Sequence, residues 1–323
     1  MKAPARLGLY GLGLVAVFAV AGFTANTVIP DQTVQAWTQE TEDNAHHEEG
    51  DAMSGDGHAG HGAGTASLGL GIEQDGYELT AVTAPTETGT DGELSLTVTG
   101  PDGEPVTDFE LEHEKELHLI AVRADGQHFA HVHPEMGEDG TWSIPWQWEE
   151  AGSYRVFADF VPAETGEGIT LSTTVQVPGD YQAVAAEPVA ETTVDGFDVA
   201  VEGDLVAGEG SELTMTVTRD GQPVTALEPY LGAFGHLVAL RDGDLAYLHV
   251  HPHGDAPAAG ETSGPEIVFE ATAPTEGRYL LFLDFQVDGQ VHTAPLVIDT
   301  TTGGAEGEHG GGHEEGGDHD HGE

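Results

Sequence analysis

A chain of 323 residues carrying 58 Asp and Glu against 8 Lys and Arg has a formal net charge of −50, so it repels nucleic-acid phosphate and anionic headgroups and attracts cations. It has no cysteine, which excludes thiol catalysis, zinc–thiolate centres, iron–sulfur clusters and disulfides. Once both ends are set aside, the length leaves room for two domains of roughly 100 residues each.

Residues 1–30 read as an export signal or a retained membrane-anchor helix. Lys2 and Arg6 precede an uncharged stretch whose apolar part runs from Leu7 to Phe23, at the short limit for spanning a bilayer. Small residues Ala19 and Ala21 offer a cleavage site, yet the apolar run continues beyond them, so both outcomes stay open. In either case the rest of the chain is expected outside the cytoplasm, at the cell membrane or secreted.

Residues 31–67 and 301–323 are dominated by Gly, Asp, Glu and His. Neither segment holds enough apolar surface to offset the entropy of ordering, and both are predicted disordered. Their histidines, among them His46, His47, His309 and His313, have the composition of weak metal-binding tails.

Between these ends, Val, Thr, Leu and Tyr alternate with polar residues at period 2 and are punctuated by Asp-Gly and Pro-Gly turns. That pattern specifies antiparallel strands. The segment is also a tandem duplication. Glu93 to Thr99 answers Glu212 to Thr218, His118 to Arg123 answers His236 to Arg241, and His131-Val-His-Pro134 answers His249-Val-His-Pro252. The predicted fold is all-β, two immunoglobulin-like sandwich repeats over residues 68–180 and 192–300 with a linker at 181–191; an eight-stranded barrel is the alternative.

The duplication isolates the residues with chemistry to offer. His118, His131 and His133 recur as His236, His249 and His251 with the same spacing, each set accompanied by an aspartate, Asp159 and Asp284. In a strand, residues i and i+2 share a face, so each His-x-His presents two imidazoles side by side. An Asp-Gly turn is expected to fold the strand bearing the third histidine back toward them. Imidazole-rich sets suit copper(II) first and zinc second. The bland alternative is a set of histidines that cap or pack. Asp159 and Asp284 are weaker ligand candidates, because pairing with Arg123 and Arg241 accounts for them without a metal. Tyr154, Phe157, Phe160 and their counterparts Tyr279, Phe282 and Phe285 are expected in the sandwich cores.

No nucleophile elbow or phosphate-binding loop is found, and the only lysines are Lys2 and Lys115, so the chain is not expected to be an enzyme. With its His-Val-His-Pro motifs and exported N-terminus, the sequence resembles secreted heavy-metal-binding proteins of actinobacteria. More distantly it is similar to YtkA-like and CopC-like β-sandwich domains. The resemblance implies an exported sandwich linked to copper and to other envelope metal-handling proteins. The CopC-like ligand set, which uses a mature N-terminal histidine, does not carry over. The remaining reading is a non-catalytic envelope structural or interaction module whose histidines are structural.

Overall fold

The computed structural model describes residues 68–301, apart from His249, Asp255 and Ala259. The predicted N-terminal helix, the acidic segment 31–67 and nearly all of the C-terminal tail lie outside the described residues. Among the described residues, no helix is long and apolar enough to cross a membrane.

The first repeat has strands β1 (Glu73–Gln74), β2 (Tyr77–Thr83), β3 (Gly92–Thr99), β4 (Phe109–Glu110), β5 (Leu117–Arg123), β6 (Ala130–Val132), β7 (Glu135–Met136), β8 (Thr141–Trp146), β9 (Gly152–Pro162) and β10 (Ile169–Val177). The second has β11 (Glu191–Val194), β12 (Phe197–Glu202), β13 (Gly210–Arg219), β14 (Gln222–Pro223), β15 (His236–Arg241), β16 (Tyr247–Leu248), β17 (Val250–Pro252), β18 (Glu266–Thr272), β19 (Arg278–Val287) and β20 (Gln290–Asp299). Sheets β1-β2-β3-β8-β7 and β10-β9-β5-β6 face each other in the first repeat, and β11-β12-β13-β18-β17 and β16-β15-β19-β20 in the second.

Each is a sandwich because alternate residues of both sheets meet in one core. Leu94, Leu96 and Val98 of β3 pack with Leu117, Leu119 and Ala121 of β5 and with Tyr154, Val156 and Ala158 of β9. Leu213, Met215 and Val217 pack likewise with Leu237, Ala239 and Leu281. In both repeats a tyrosine near the start of the long strand turns its hydroxyl back to a carbonyl four residues upstream, Tyr154 to Glu150 and Tyr279 to Thr275, each at 2.9 Å. This is the tyrosine corner of immunoglobulin-like folds. Closed barrels have no sheet edges, and both repeats have open ones, so the barrel alternative does not hold.

A third core joins the repeats. The outer faces of the β5–β9 and β15–β19 layers press together through Ile120, Val122 and Phe157 on one side and Val238, Leu240, Leu280 and Phe282 on the other. Phe129 stacks on Phe282 with ring centroids 3.9 Å apart. Every residue of β5 is consequently buried, on both faces. Phe157 and Phe282, expected inside their own sandwiches, therefore belong to this shared layer. The linker is tied down as well. The Val184 amide donates to Asp125 at 2.9 Å, Arg278 donates to the Ala186 carbonyl, and the Val189 amide donates to the Val297 carbonyl at 2.8 Å.

The expected pairs Arg123–Asp159 and Arg241–Asp284 do not form. Arg123 takes Asp125 through two bonds of 2.8 and 3.0 Å and Glu150 through a third of 2.9 Å, while Arg241 takes Asp244 at 2.5 and 3.0 Å. The reason is position. Each arginine ends its strand on the core-facing side, next to a turn that supplies an aspartate, whereas Asp159 and Asp284 project from the opposite face.

Candidate metal centre

The β5–β6 hairpin, turned at Asp125-Gly126, sets Ile120 opposite His131 and Leu119 opposite Val132. Cross-strand partners share a face, so His131 joins His118 and Ile120 on the outer face of the sheet. His133 follows two residues on and returns to that face. The three ring nitrogens that result lie within 4.8 Å of one another. His118 Nδ1 is 3.0 Å from His131 Nε2 and 3.1 Å from His133 Nε2.

The outward nitrogens fix the tautomers. His118 Nε2–H donates to the Glu112 carbonyl at 3.0 Å, so His118 Nδ1 carries a lone pair. His131 Nδ1–H donates to Asp284 Oδ2 at 2.8 Å, leaving a lone pair on His131 Nε2. Two lone pairs then meet at 3.0 Å with no proton between them, a repulsive contact unless a cation sits there. A proton satisfies one such contact at a time; a metal ion satisfies all three rings. Ligands at about 2.0–2.1 Å from a metal are about 2.9 Å apart when set at right angles and about 3.4 Å apart in a tetrahedron. The observed 3.0 and 3.1 Å fall close to the right-angled arrangement.

Burial keeps His118 and His133 uncharged. Desolvation lowers the pKa of His118 and of His133 to about 3, with neighbouring histidines adding to the effect; the bond to the Glu112 carbonyl opposes it at His118. Neutral imidazole is the metal-binding form.

Asp284 belongs to the second sandwich, so the centre spans both repeats. Thr293, its cross-strand partner, donates to Asp284 Oδ1 at 2.5 Å and leaves Oδ2 for His131. This is the carboxylate–histidine arrangement that orients metal ligands from behind. Asp284 therefore stands behind His131 and is not one of the three grouped ligands. Asp159 is the counterpart on the other side. Thr170 donates to its Oδ1 at 2.7 Å, and the buried Tyr247 hydroxyl of the second repeat bonds to it. Asp159 lines the cavity beside the histidines and is not one of the triad.

The second repeat does not copy the first. His236 Nε2–H reaches the Tyr230 carbonyl at 3.0 Å, as His118 reaches that of Glu112. Burial lowers its pKa to about 4, with the nearby histidines His113 and His131 adding to the effect. His251, however, is carried on β17, which pairs with β18 in the other sheet, His251 opposite Glu270. His249 lies outside the described residues. His251, His236, His118 and His131 line a single cavity of about 50 Å³ together with His113. The duplication does not single out His113, since the second repeat has Leu231 at that place. The signal for it was proximity, five residues before His118. Tyr247 is a further residue the comparison missed, because its counterpart Phe129 carries no hydroxyl.

Residues 72–179 and 192–302 both match one protein family, described as a domain of unknown function (DUF8832). No curated protein matches the chain. Among solved structures it is similar to invasin, a bacterial integrin-binding protein, with 14% identity and a TM-score of 0.21, covering 70% of this chain and 39% of that one. The adhesin InvE of Yersinia pseudotuberculosis gives 14% identity and a TM-score of 0.21, covering 74% and 61%. The D0–D1 domain of intimin gives 12% and 0.20, covering 70% and 97%. The chain thus spans less than two thirds of the first two relatives, and none of these likenesses bears on what it binds.

Proposed function

The chain belongs to the DUF8832 family through both of its sandwiches, and from the geometry of the histidine cluster we propose that it is a non-catalytic metal-binding protein, holding copper(II), with zinc the alternative, between the two repeats. The observation that carries this reading is His118 Nδ1, with two further ring nitrogens at 3.0 and 3.1 Å and its own proton committed to a carbonyl on the far side. The near right-angled spacing suits the tetragonal preference of copper(II) better than the tetrahedral one of zinc. Asp284 is committed to His131 and Asp159 to Thr170 and Tyr247, so neither carboxylate is left to activate water at the ion. With the export signal expected from residues 1–30, this reading makes the chain an extracytoplasmic buffer or carrier that exchanges metal with other envelope proteins. The sequence resemblance to heavy-metal-binding sandwiches agrees with it.

The test is competitive copper(II) titration of the full chain against a variant with His131→Asn and His133→Gln. The amide introduced by His131→Asn keeps an N–H for Asp284, so folding is preserved. The reading requires the variant to lose a tight equivalent whose spectrum carries nitrogen coupling; equal binding by both proteins sinks it. A second reading, an envelope interaction module with structural histidines, is favoured by the His131–Asp284 bond, since both side chains are only 4% exposed and join the two sandwiches. Copper-independent unfolding at neutral pH supports that alternative.

A further inference from the structure

The Glu112 carbonyl that holds His118 Nε2–H at 3.0 Å heads a tight two-residue turn. The Glu112 amide donates to the Lys115 carbonyl at 2.9 Å and the Lys115 amide donates back at 3.0 Å, while His113 (φ 47°) and Glu114 (φ 64°) both take the left-handed backbone region. Paired positive φ values of this kind belong to turns that favour Asn-Gly, so a His-Glu pair occupies them at a cost. The second repeat builds the same turn from different residues. Tyr230 and Ala233 exchange bonds of 2.8 and 3.3 Å, Leu231 (φ 53°) and Gly232 (φ 76°) stand at its centre, and the Tyr230 carbonyl takes His236 Nε2–H at 3.0 Å. In each repeat the accepting carbonyl lies six residues before the histidine. None of Glu112-His-Glu-Lys115 recurs in Tyr230-Leu-Gly-Ala233, so what the two copies share here is a backbone shape and the imidazole it holds.

That shape bears on the metal centre because the ring it holds in the first repeat is a member of the triad. With Nε2–H drawn to Glu112, Nδ1 is the nitrogen of His118 left to face His131 and His133, at 3.0 and 3.1 Å. Glu112 thus does for His118 what Asp284 does for His131. We propose that the Glu112–Lys115 turn is a positioning element of the metal centre, its left-handed backbone at His113 and Glu114 aiming the Glu112 carbonyl so that His118 meets the ion through Nδ1. His113 and Glu114 act through their backbone and are not ligands. The second repeat keeps the anchored histidine without the triad, because β6 returns His131 beside β5 whereas β17 carries His251 to β18. The inference rests on the triad binding metal.

The experiment compares Glu114→Val with Glu114→Gly in the full chain. Both remove the same exposed carboxylate, but glycine accepts a positive φ freely and a β-branched residue resists it. Copper(II) affinity by chelator competition is expected to stay within about 3-fold of the wild type in Glu114→Gly and to fall about 10- to 100-fold in Glu114→Val. Glu114→Ala, less strained, should fall between the two and serves in place of valine if that variant does not fold. Nitrogen NMR of the metal-free His118 ring reads the cause: protonated Nε2 and bare Nδ1 in the wild type and in Glu114→Gly, a mixture of both forms in Glu114→Val. Leu231→Val strains the equivalent turn behind His236, so it should lower the urea midpoint and leave copper affinity within about 3-fold. Equal affinity in the valine and glycine variants, an unchanged His118 tautomer in Glu114→Val, or an equal loss in Leu231→Val overturns the inference while the triad stands. Absence of a tight copper equivalent in the wild type removes the triad reading, and this inference with it.

Discussion

Asp284→Asn is the substitution that tests whether the two sandwiches build one centre. Both carboxylate oxygens are committed, Oδ1 to Thr293 and Oδ2 to His131, and the side chain is 4% exposed, so water cannot take over either bond. The asparagine carbonyl still accepts from His131 Nδ1–H and preserves the tautomer, but the negative charge that raises ligand basicity is gone. Losing such a partner costs about 10- to 100-fold in metal affinity, or about 1.4–2.8 kcal/mol. The upper half of that range is expected here because the pair is nearly dry. A chromophoric chelator competing for copper(II) at about pH 7.5, where His118 and His133 are neutral, reads the change directly. Asp159→Asn is the control. That carboxylate serves Thr170 and Tyr247 instead of His131, so its effect should stay within about 3-fold. If Asp284→Asn binds copper as the wild type does, or if the two aspartates prove equivalent, the reasoning that places Asp284 behind His131 is wrong.

Three further outcomes follow from the packing. The folded-state pKa values of His118 and His133, about 3, and of His236, about 4, lie below the ordinary 6.5. The unfolded chain therefore binds more protons, and metal-free stability falls as pH drops from about 6.5 toward 3, by up to about 1.4 kcal/mol per pH unit for each ring. Urea midpoints at about pH 7, 6 and 5 should show a shallower decline in His236→Gln than in the wild type; parallel lines count against it. Phe282→Ala removes the ring stacked on Phe129 and should cost about 3–5 kcal/mol, with the unfolding of the repeats becoming less cooperative, whereas Val291→Ala, 42% exposed, should cost under about 0.5 kcal/mol in the same melts. Arg123→Ala strands Asp125 in the interior, the pair being 3% and 4% exposed, and should cost about 3–5 kcal/mol; Arg241→Ala breaks a pair 20% and 41% exposed and should cost about 1 kcal/mol in the same melts.

The repeats, their strand class and the convergence of His118, His131 and His133 were legible because period-2 alternation and hairpin turns are local signals. The shared layer between the repeats left one local trace. His118-Leu-Ile-Ala-Val and His236-Leu-Val-Ala-Leu are unbroken apolar runs after the histidine, the mark of strands covered on both faces. The aspartates were misassigned because comparing copies paired each with the arginine of its own repeat. Asp125 and Asp244, two and three residues beyond their arginines, were nearer in sequence and on the right side of the sheet. Nothing in the alternation could show that the chain crosses to the second sheet early enough to carry His251 onto β17 beside β18, whereas His131 stays on β6 beside β5, since pairing choice depends on the loop that follows and on the neighbouring sandwich.

The layer formed by Ile120, Val122 and Phe157 against Val238, Leu240 and Phe282 has a consequence for how such a chain arises. A lone repeat would present that sticky face, with a half-built histidine set at its edge, to solvent. Two copies of it would associate about a two-fold axis, each lending its aspartate to the other. Fusing the copies in tandem makes that encounter intramolecular, with the partner always at high effective concentration. It also frees the two halves to diverge, as the earlier crossing onto β17 in one repeat and the presence of His113 in the other illustrate.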